Sequence, residues 1–328
     1  MLLSIVLVTL GVLREAPAYN SPENAVAVAK AMFETLPGDT AFLFTELAPE
    51  GVKPLFGIRQ DERFAVGSSF KLFILGTLAD DVNADRRQLD NVMRLRADLV
   101  GPPHSEMADW PVDSPVTLQT LALKMITISD NTATDHLLYL LGREKVERQM
   151  RHMIGEHAAW NEPLLSTREM TMLRDKKTGM LGRDYQKLDL AAKRKFLAGH
   201  FQGVPNYEAL DFDTAAYNVA EWYATPLDMA RALAWLKNNT EEGQKAHALR
   251  AVLAVDPKLP HDPKIWPYVG FKGGSEDQLL AGNWLLKNKN GRWYTFHVFY
   301  NNPQGKANQE ETVKAIHTII TAIEQTFE

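Results

Sequence analysis

Residues 64–78 read FAVGSSFKLFILGTL, and two polar side chains at the head of this apolar run constrain the rest of the chain. Ser68 and Lys71 stand at i and i+3, which on a helix puts them on one face with Cβ atoms about 5–6 Å apart. A serine hydroxyl is a weak nucleophile until a base takes its proton. A lysine can be that base if burial or nearby positive charge lowers its pKa. The start of a helix adds backbone N–H groups and a field that favours developing negative charge. Alone, S-x-x-K is a weak signal: Ser68 could simply cap the helix while Lys71 is solvated.

Two further motifs follow. Leu118, Leu121, Ala122 and Met125 repeat at i, i+3, i+4, i+7, so an amphipathic helix leads directly into Ser129-Asp130-Asn131. Lys272-Gly273-Gly274-Ser275 lies on a run predicted to be a strand. Each alone is ordinary turn or strand-end chemistry. In this order, S-x-x-K, S-D-N and a K-T-G-like triplet form the set found in class A β-lactamases and penicillin-binding proteins.

With those residues in view, the stretch 64–78 resembles the nucleophile helix of class A serine β-lactamases. Residues 117–138, TLQTLALKMITISDNTATDHLL, resemble that family's second motif with the helix before it. Ser129 follows Ser68 at close to the family's usual interval, whereas Lys272 follows Ser129 about forty positions later than usual. Ala224-Thr225-Pro226 resembles the point where the chain returns after the family's omega loop. The resemblance runs from about residue 20 to the end of the chain.

The resemblance implies that Ser68 is the acylated nucleophile and Lys71 its base or proton relay. It implies that Ser129 passes a proton to the leaving nitrogen, and that Lys272 supplies positive charge beside Ser129. Asn131 would bind the substrate amide and help position Lys71. Gly274 and Ser275 would line the substrate strand, with the N–H groups of Ser68 and Ser275 as oxyanion donors. Asp130 is expected to be structural. Departures stand out at Gly273, where the family usually has Thr or Ser, and at Phe271, where a small or polar residue is more common. The strand around Thr295 shows no Arg at the position where many members keep one for the substrate carboxylate. These suggest altered recognition of the substrate carboxylate.

A lactamase also needs a carboxylate that activates water against the acyl-enzyme. Glu162-Pro163 matches the family's Glu-Pro pair and makes Glu162 the expected base. Counting back from Pro226 points instead to Glu208, and a third alternative is that neither reaches the site. The run NEPLLSTREM, 161–170, also resembles a subgroup of lactamase-like serine hydrolases without this Glu. Some of that subgroup, linked to clavam biosynthesis, act as esterases on cephalosporin-type substrates. The leading expectation is therefore β-lactam hydrolysis through an acyl-enzyme at Ser68. An esterase or peptidase with the same Ser-Lys site, and a non-hydrolysing penicillin-binding or sensor module, are the alternatives.

The order of predicted elements is helix, two strands, a long helical block, three strands, helix. An α+β fold is expected: an antiparallel sheet flanked by the terminal helices, with an inserted all-helical lobe. The sheet subdomain would comprise residues 20–66 and 222–328, and the helical subdomain residues 67–221 with an enlarged omega-loop region. Asn290-Gly291 between the last two strands is a hairpin signal.

The bulk numbers fit an ordinary globular chain of 328 residues, 45% hydrophobic and 23% charged. A net charge of −5 leaves no excess of Lys and Arg for nucleic acid. The absence of cysteine excludes disulfides, thiolate nucleophiles and Cys-ligated metals. The nine histidines show no metal spacing, so no metal or cofactor is expected. Residues 1–19, an apolar run ending in Ala16-Pro17-Ala18, read as a secretory signal or as the cut end of a longer chain. A periplasmic or secreted monomer acting on a small β-lactam or ester, with no permanent membrane anchor, is expected.

Overall fold

The computed structural model describes residues 22–102, 105–177, 181–213 and 217–325; the segment 1–19 lies outside them. The chain begins with α1 (Pro22–Glu34), β1 (Asp39–Ala48), β2 (Gly51–Ile58) and the short β3 (Phe64–Ala65). A 3-10 turn, Gly67–Phe70, then opens α2 (Lys71–Asn83). The small strands β4 (Val92–Arg94) and β5 (Pro115–Thr117) pair before α3 (Leu118–Thr127), α4 (Asn131–Leu141) and α5 (Arg143–Ile154). The helices α6 (Thr167–Leu173), α7 (Leu181–Gln186) and α8 (Leu190–His200) precede β6 (Tyr223–Ala224), α9 (Pro226–Asn239) and α10 (Ala248–Ala254). The chain closes with β7 (Tyr268–Glu276), β8 (Leu279–Lys287), β9 (Trp293–Asn301) and α11 (Gln309–Gln325).

The main sheet is antiparallel throughout, in the order β2-β1-β9-β8-β7. Strands β8 and β9 are buried on both faces, which explains why they read as nearly continuous apolar runs rather than alternating ones. On one face α1 and α11 bury Phe33, Ile316, Ile319, Ile320 and Ile323 against Phe42, Phe44, Phe296 and Tyr300. On the other, Ala41, Leu285 and Phe299 join the core of the helical lobe, centred on Phe70, Phe73, Leu75 and Leu121. Fully burying one such side chain contributes about 1.5–3 kcal/mol. Helix α9 packs on α2 and α5 and also on β9 and β1, bridging sheet and lobe.

The α+β expectation is met, with one local difference. The apolar run expected to place Ser68 and Lys71 on one helical face begins as a 3-10 turn, and regular α2 starts only at Lys71. Strand β2 carries a proline. Pro54 is tolerated inside it because β2 is an edge strand, and the register shifts beside it between Phe44 and Thr45.

Candidate active site

The short pairing of β3 with β6 delivers the chain into the turn that carries Ser68. Val66 N donates to Trp222 O at 2.9 Å, and the Phe70 ring stacks on Trp222 with centroids 3.9 Å apart. Ser68 is half-buried; Ser69 and Phe70 turn into the core. Strand β7 lies directly against this turn. A Cβ built on Gly274 would fall 2.1 Å from Val66 O and 2.6 Å from Ser68 N, so only glycine permits the two backbones to approach this closely. Gly273 and Phe271 are linked departures: a Cβ on Gly273 would meet the Phe271 ring at 2.7 Å. The ring, packed on Trp284, takes the space a Thr or Ser side chain would need.

Lys71 is the first residue of α2 and has no exposed surface. Its ammonium donates to Ser129 O at 2.6 Å, to Asn131 Oδ1 at 2.8 Å and to Ser129 Oγ at 3.1 Å. It makes no hydrogen bond to Ser68 among the described residues. Burial lowers its pKa to about 7, against the opposing pull of Asp130 and Asp135. Lys272, also buried, donates to Ser129 Oγ at 3.1 Å and to Gly273 O. Its pKa falls well below the ordinary lysine value, through burial first and then the charge of Lys71.

Ser129 thus sits between two buried amines. It lies in the left-handed region, at φ 59°, a conformation that costs a non-glycine residue about 1–2 kcal/mol. Its hydroxyl oxygen accepts from both lysines, which occupies both lone pairs and leaves the O–H as a donor. The turn is held by Asp130, which caps α4 through Ala133 N at 2.8 Å and accepts from Ser105 Oγ at 2.6 Å and Met107 N at 2.9 Å. Asp130 therefore has the structural place expected of it.

Glu162 is not part of this cluster. Both its oxygens are taken by the guanidinium of Arg151, with Nε at 2.6 Å. Its loop is clamped by groups distant in sequence: Asp135 accepts from Thr167 N and Arg168 N at 2.8 and 3.0 Å. Glu147 accepts from Leu164 N at 2.9 Å, and Leu165 O accepts from Trp222 Nε1 at 3.0 Å. Burial raises Asp135 to about 6 despite those N–H donors. Glu208 lies on an exposed 3-10 turn. Glu162, the expected water-activating base, is thus ion-paired and Glu208, its alternative, is exposed; neither is hydrogen-bonded to Lys71 among the described residues. Ser275 is exposed at the far end of β7.

Two buried polar groupings had no motif to announce them. One is a row of Asn283, His297, Thr295 and Thr45 behind the turn that carries Ser68. Its one signal in the sequence is a lone Asn within the apolar strand LLAGNWLLK. The other is Arg174, whose guanidinium joins Glu221, at 2.8 Å, to Glu276 at the end of β7. Burial and the neighbouring Glu276 push the Glu221 carboxyl up, while Arg174 opposes the shift. Among the described residues no cluster of potential metal ligands occurs, and no helix is long and apolar enough to cross a membrane.

This architecture is that of β-lactamases and penicillin-binding proteins. A β-lactamase from Sphaerobacter thermophilus superposes with a TM-score of 0.62 at 22% identity, covering 93% of this chain and 96% of its own. The protein named PBP-A does so with a TM-score of 0.58 at 16% identity, covering 94% of this chain and 99% of its own. The model of the Beta-lactamase enzyme family matches residues 25–327, and the chain belongs to that family. Local sequence matches are shorter. Beta-lactamase FAR-1 of Nocardia farcinica is 36% identical over 85 residues, 26% of each chain. Beta-lactamase 1 of Streptomyces cacaoi is 30% identical over 108 residues, 30% of this chain and 33% of its own. The chain thus spans about a quarter to a third of these relatives' length.

Proposed function

We propose that the chain is a serine hydrolase that opens β-lactam rings through an acyl-enzyme at Ser68, with acylation faster than release. The observation that carries this is the Ser129 hydroxyl held between two buried lysines whose pKa values burial lowers, beside the Ser68 turn. In the neutral amine form Lys71 has a lone pair and only two N–H groups, so one of its three present contacts must be given up. Turned toward Ser68, that lone pair takes the hydroxyl proton while Oγ attacks the lactam carbonyl carbon. The N–H groups of Ser68 and Ser275 would stabilise the oxyanion. As the C–N bond breaks, Ser129 gives its proton to the ring nitrogen and regains one from Lys71. Lys272 holds Ser129, Asn131 holds Lys71 and the substrate amide, and Gly274 keeps the substrate strand close.

A second reading is favoured by one observation. The pairing of Glu162 with Arg151 engages the expected water-activating carboxylate, which supports a long-lived adduct, or faster turnover of esters, whose alcohol leaves as the acyl-enzyme forms and does not stay tethered in the site. A variant of PBP-A was solved as an acyl-enzyme with penicillin G, which supports trapping on this fold. The test is to mix the protein with nitrocefin, benzylpenicillin or a p-nitrophenyl ester and follow product together with intact mass. An adduct on Ser68, absent from Ser68→Ala, is expected within the first turnover. An adduct or full turnover that persists in Ser68→Ala eliminates the proposal.

A further inference from the structure

The nucleophile turn and β7 are tied together from behind by polar groups that the chemistry above leaves unused. Asn283, on β8, donates from its amide nitrogen to Ser69 Oγ at 2.9 Å and to Lys272 O at 3.1 Å. Its Oδ1 lies 2.8 Å from His297 Nδ1, and His297 Nε2 lies 2.9 Å from Thr295 Oγ1. Thr295 Oγ1 in turn lies 2.7 Å from Thr45 Oγ1. The row steps across paired positions, Thr45 to Thr295 and His297 to Asn283. Ser69, Asn283, His297, Thr295 and Thr45 are all fully buried.

Only one arrangement of hydrogens fits. Both amide hydrogens of Asn283 are spent on Ser69 and Lys272, so its oxygen must accept. His297 Nδ1 must therefore carry the hydrogen, which leaves Nε2 to accept from the Thr295 hydroxyl. Thr295 then accepts from Thr45. A flipped Asn283 would set its oxygen against the Lys272 carbonyl and leave Ser69 without its donor, inside a core where an unmatched polar group is costly. The donor that forbids this flip is His297. Burial keeps the ring neutral, in keeping with a fixed tautomer.

We propose that His297 is a positioning residue for acylation: by orienting Asn283 it holds the Ser68 turn and the Lys272 strand in fixed relation across the cleft. This rests on the assignment of Ser68 as nucleophile. Displacement of a reacting group by a fraction of an ångström to one ångström lowers a rate by about tenfold to a hundredfold, so the effect belongs on the rate of acylation rather than on binding.

The experiment is rapid-mixing acylation with nitrocefin, scored by mass on Ser68, with thermal unfolding in parallel. His297→Phe keeps a ring and removes the donor, and should slow acylation at saturation about tenfold or more with half-saturation changed less than about twofold. His297→Asn places an amide nitrogen near the former Nδ1, and should restore acylation to within about threefold. Equal slowing by both folded variants, or slowing by neither, overturns the proposal. If His297→Phe does not fold, Ser69→Ala cuts the same line at its other end and should slow acylation about tenfold; an unaltered rate there also overturns it. Failure of the wild-type protein to label Ser68 is a different result, and overturns the nucleophile assignment together with this inference.

Discussion

Lys71 is the residue whose state decides the proposed rate. With its pKa lowered to about 7 by burial, it is an ammonium in acid and an amine above neutrality. Acylation should climb with pH up to about 7 and then level, measured as the single-turnover rate with nitrocefin. Its effect on stability runs the same way. Below about 7 both folded and unfolded chains hold the proton and the fold bears the full cost of a buried charge; that cost is relieved as pH rises toward the ordinary lysine value. Lys71→Arg cannot shed its proton and should slow acylation by about 10²–10⁴. Glu162 gives the opposite expectation. A general base is worth about 10²–10⁴, yet Glu162→Gln should alter steady-state turnover less than about threefold. A loss of a hundredfold would mean that Arg151 releases the carboxylate during the cycle. Ser68, Lys71, Ser129 and Lys272 were legible as candidates because their motifs are short and occur in order, and the fold brings Lys71, Ser129 and Lys272 into contact. The direction of Glu162 was not, because Asp135, Glu147 and Trp222, all distant in the chain, set the course of its loop.

At the scale of the element, the contact between β7 and the 3-10 turn carries the geometry. Gly274→Ala places a methyl where Val66 O already lies, and neither partner is a side chain that could swing aside. Overpacking of this kind costs about 1–3 kcal/mol, and the separated strands should also cost most of the acylation rate. Calorimetry and single-turnover rates on one preparation check both parts. The β8–β9 hairpin was legible from Asn290-Gly291, and Gly291 indeed sits at φ 80°. The late start of α2 was not, since apolar periodicity is shared by an α-helix and the 3-10 turn that opens it. The position of β7 against the turn was hidden as well, because it depends on a pairing through β8 that no local pattern encodes.

Over the whole molecule, the sheet, the lobe and the extra residues between the second and third motifs meet at Arg174. This side chain is wholly buried between two carboxylates, Glu221 and Glu276. A further contact, from Nε to Ala220 O at 2.7 Å, fastens the returning chain just before β6. Arg174→Met would leave Glu221 buried without its counter-ion, and breaking such a pair costs about 3–5 kcal/mol, read as a lowered midpoint in urea. With one arginine for two carboxylates, the group holds a proton above the ordinary carboxylate range. A raised acid pKa means that the folded state binds more protons than the unfolded one there. The group's contribution is therefore greatest in acid and is lost as pH rises through its folded pKa. Glu276→Gln removes the neighbouring charge that helps push Glu221 up and should flatten that fall, seen as melting temperatures compared between about pH 5 and 8.

The backbone of Ser129 has a consequence for anyone evolving this protein. Glycine adopts the same left-handed turn without steric cost, so Ser129→Gly should fold as well as the parent or slightly better while lacking the hydroxyl proposed to hand over the proton. Selection for heat tolerance alone would drift toward that variant, and only selection that also demands turnover would retain the serine.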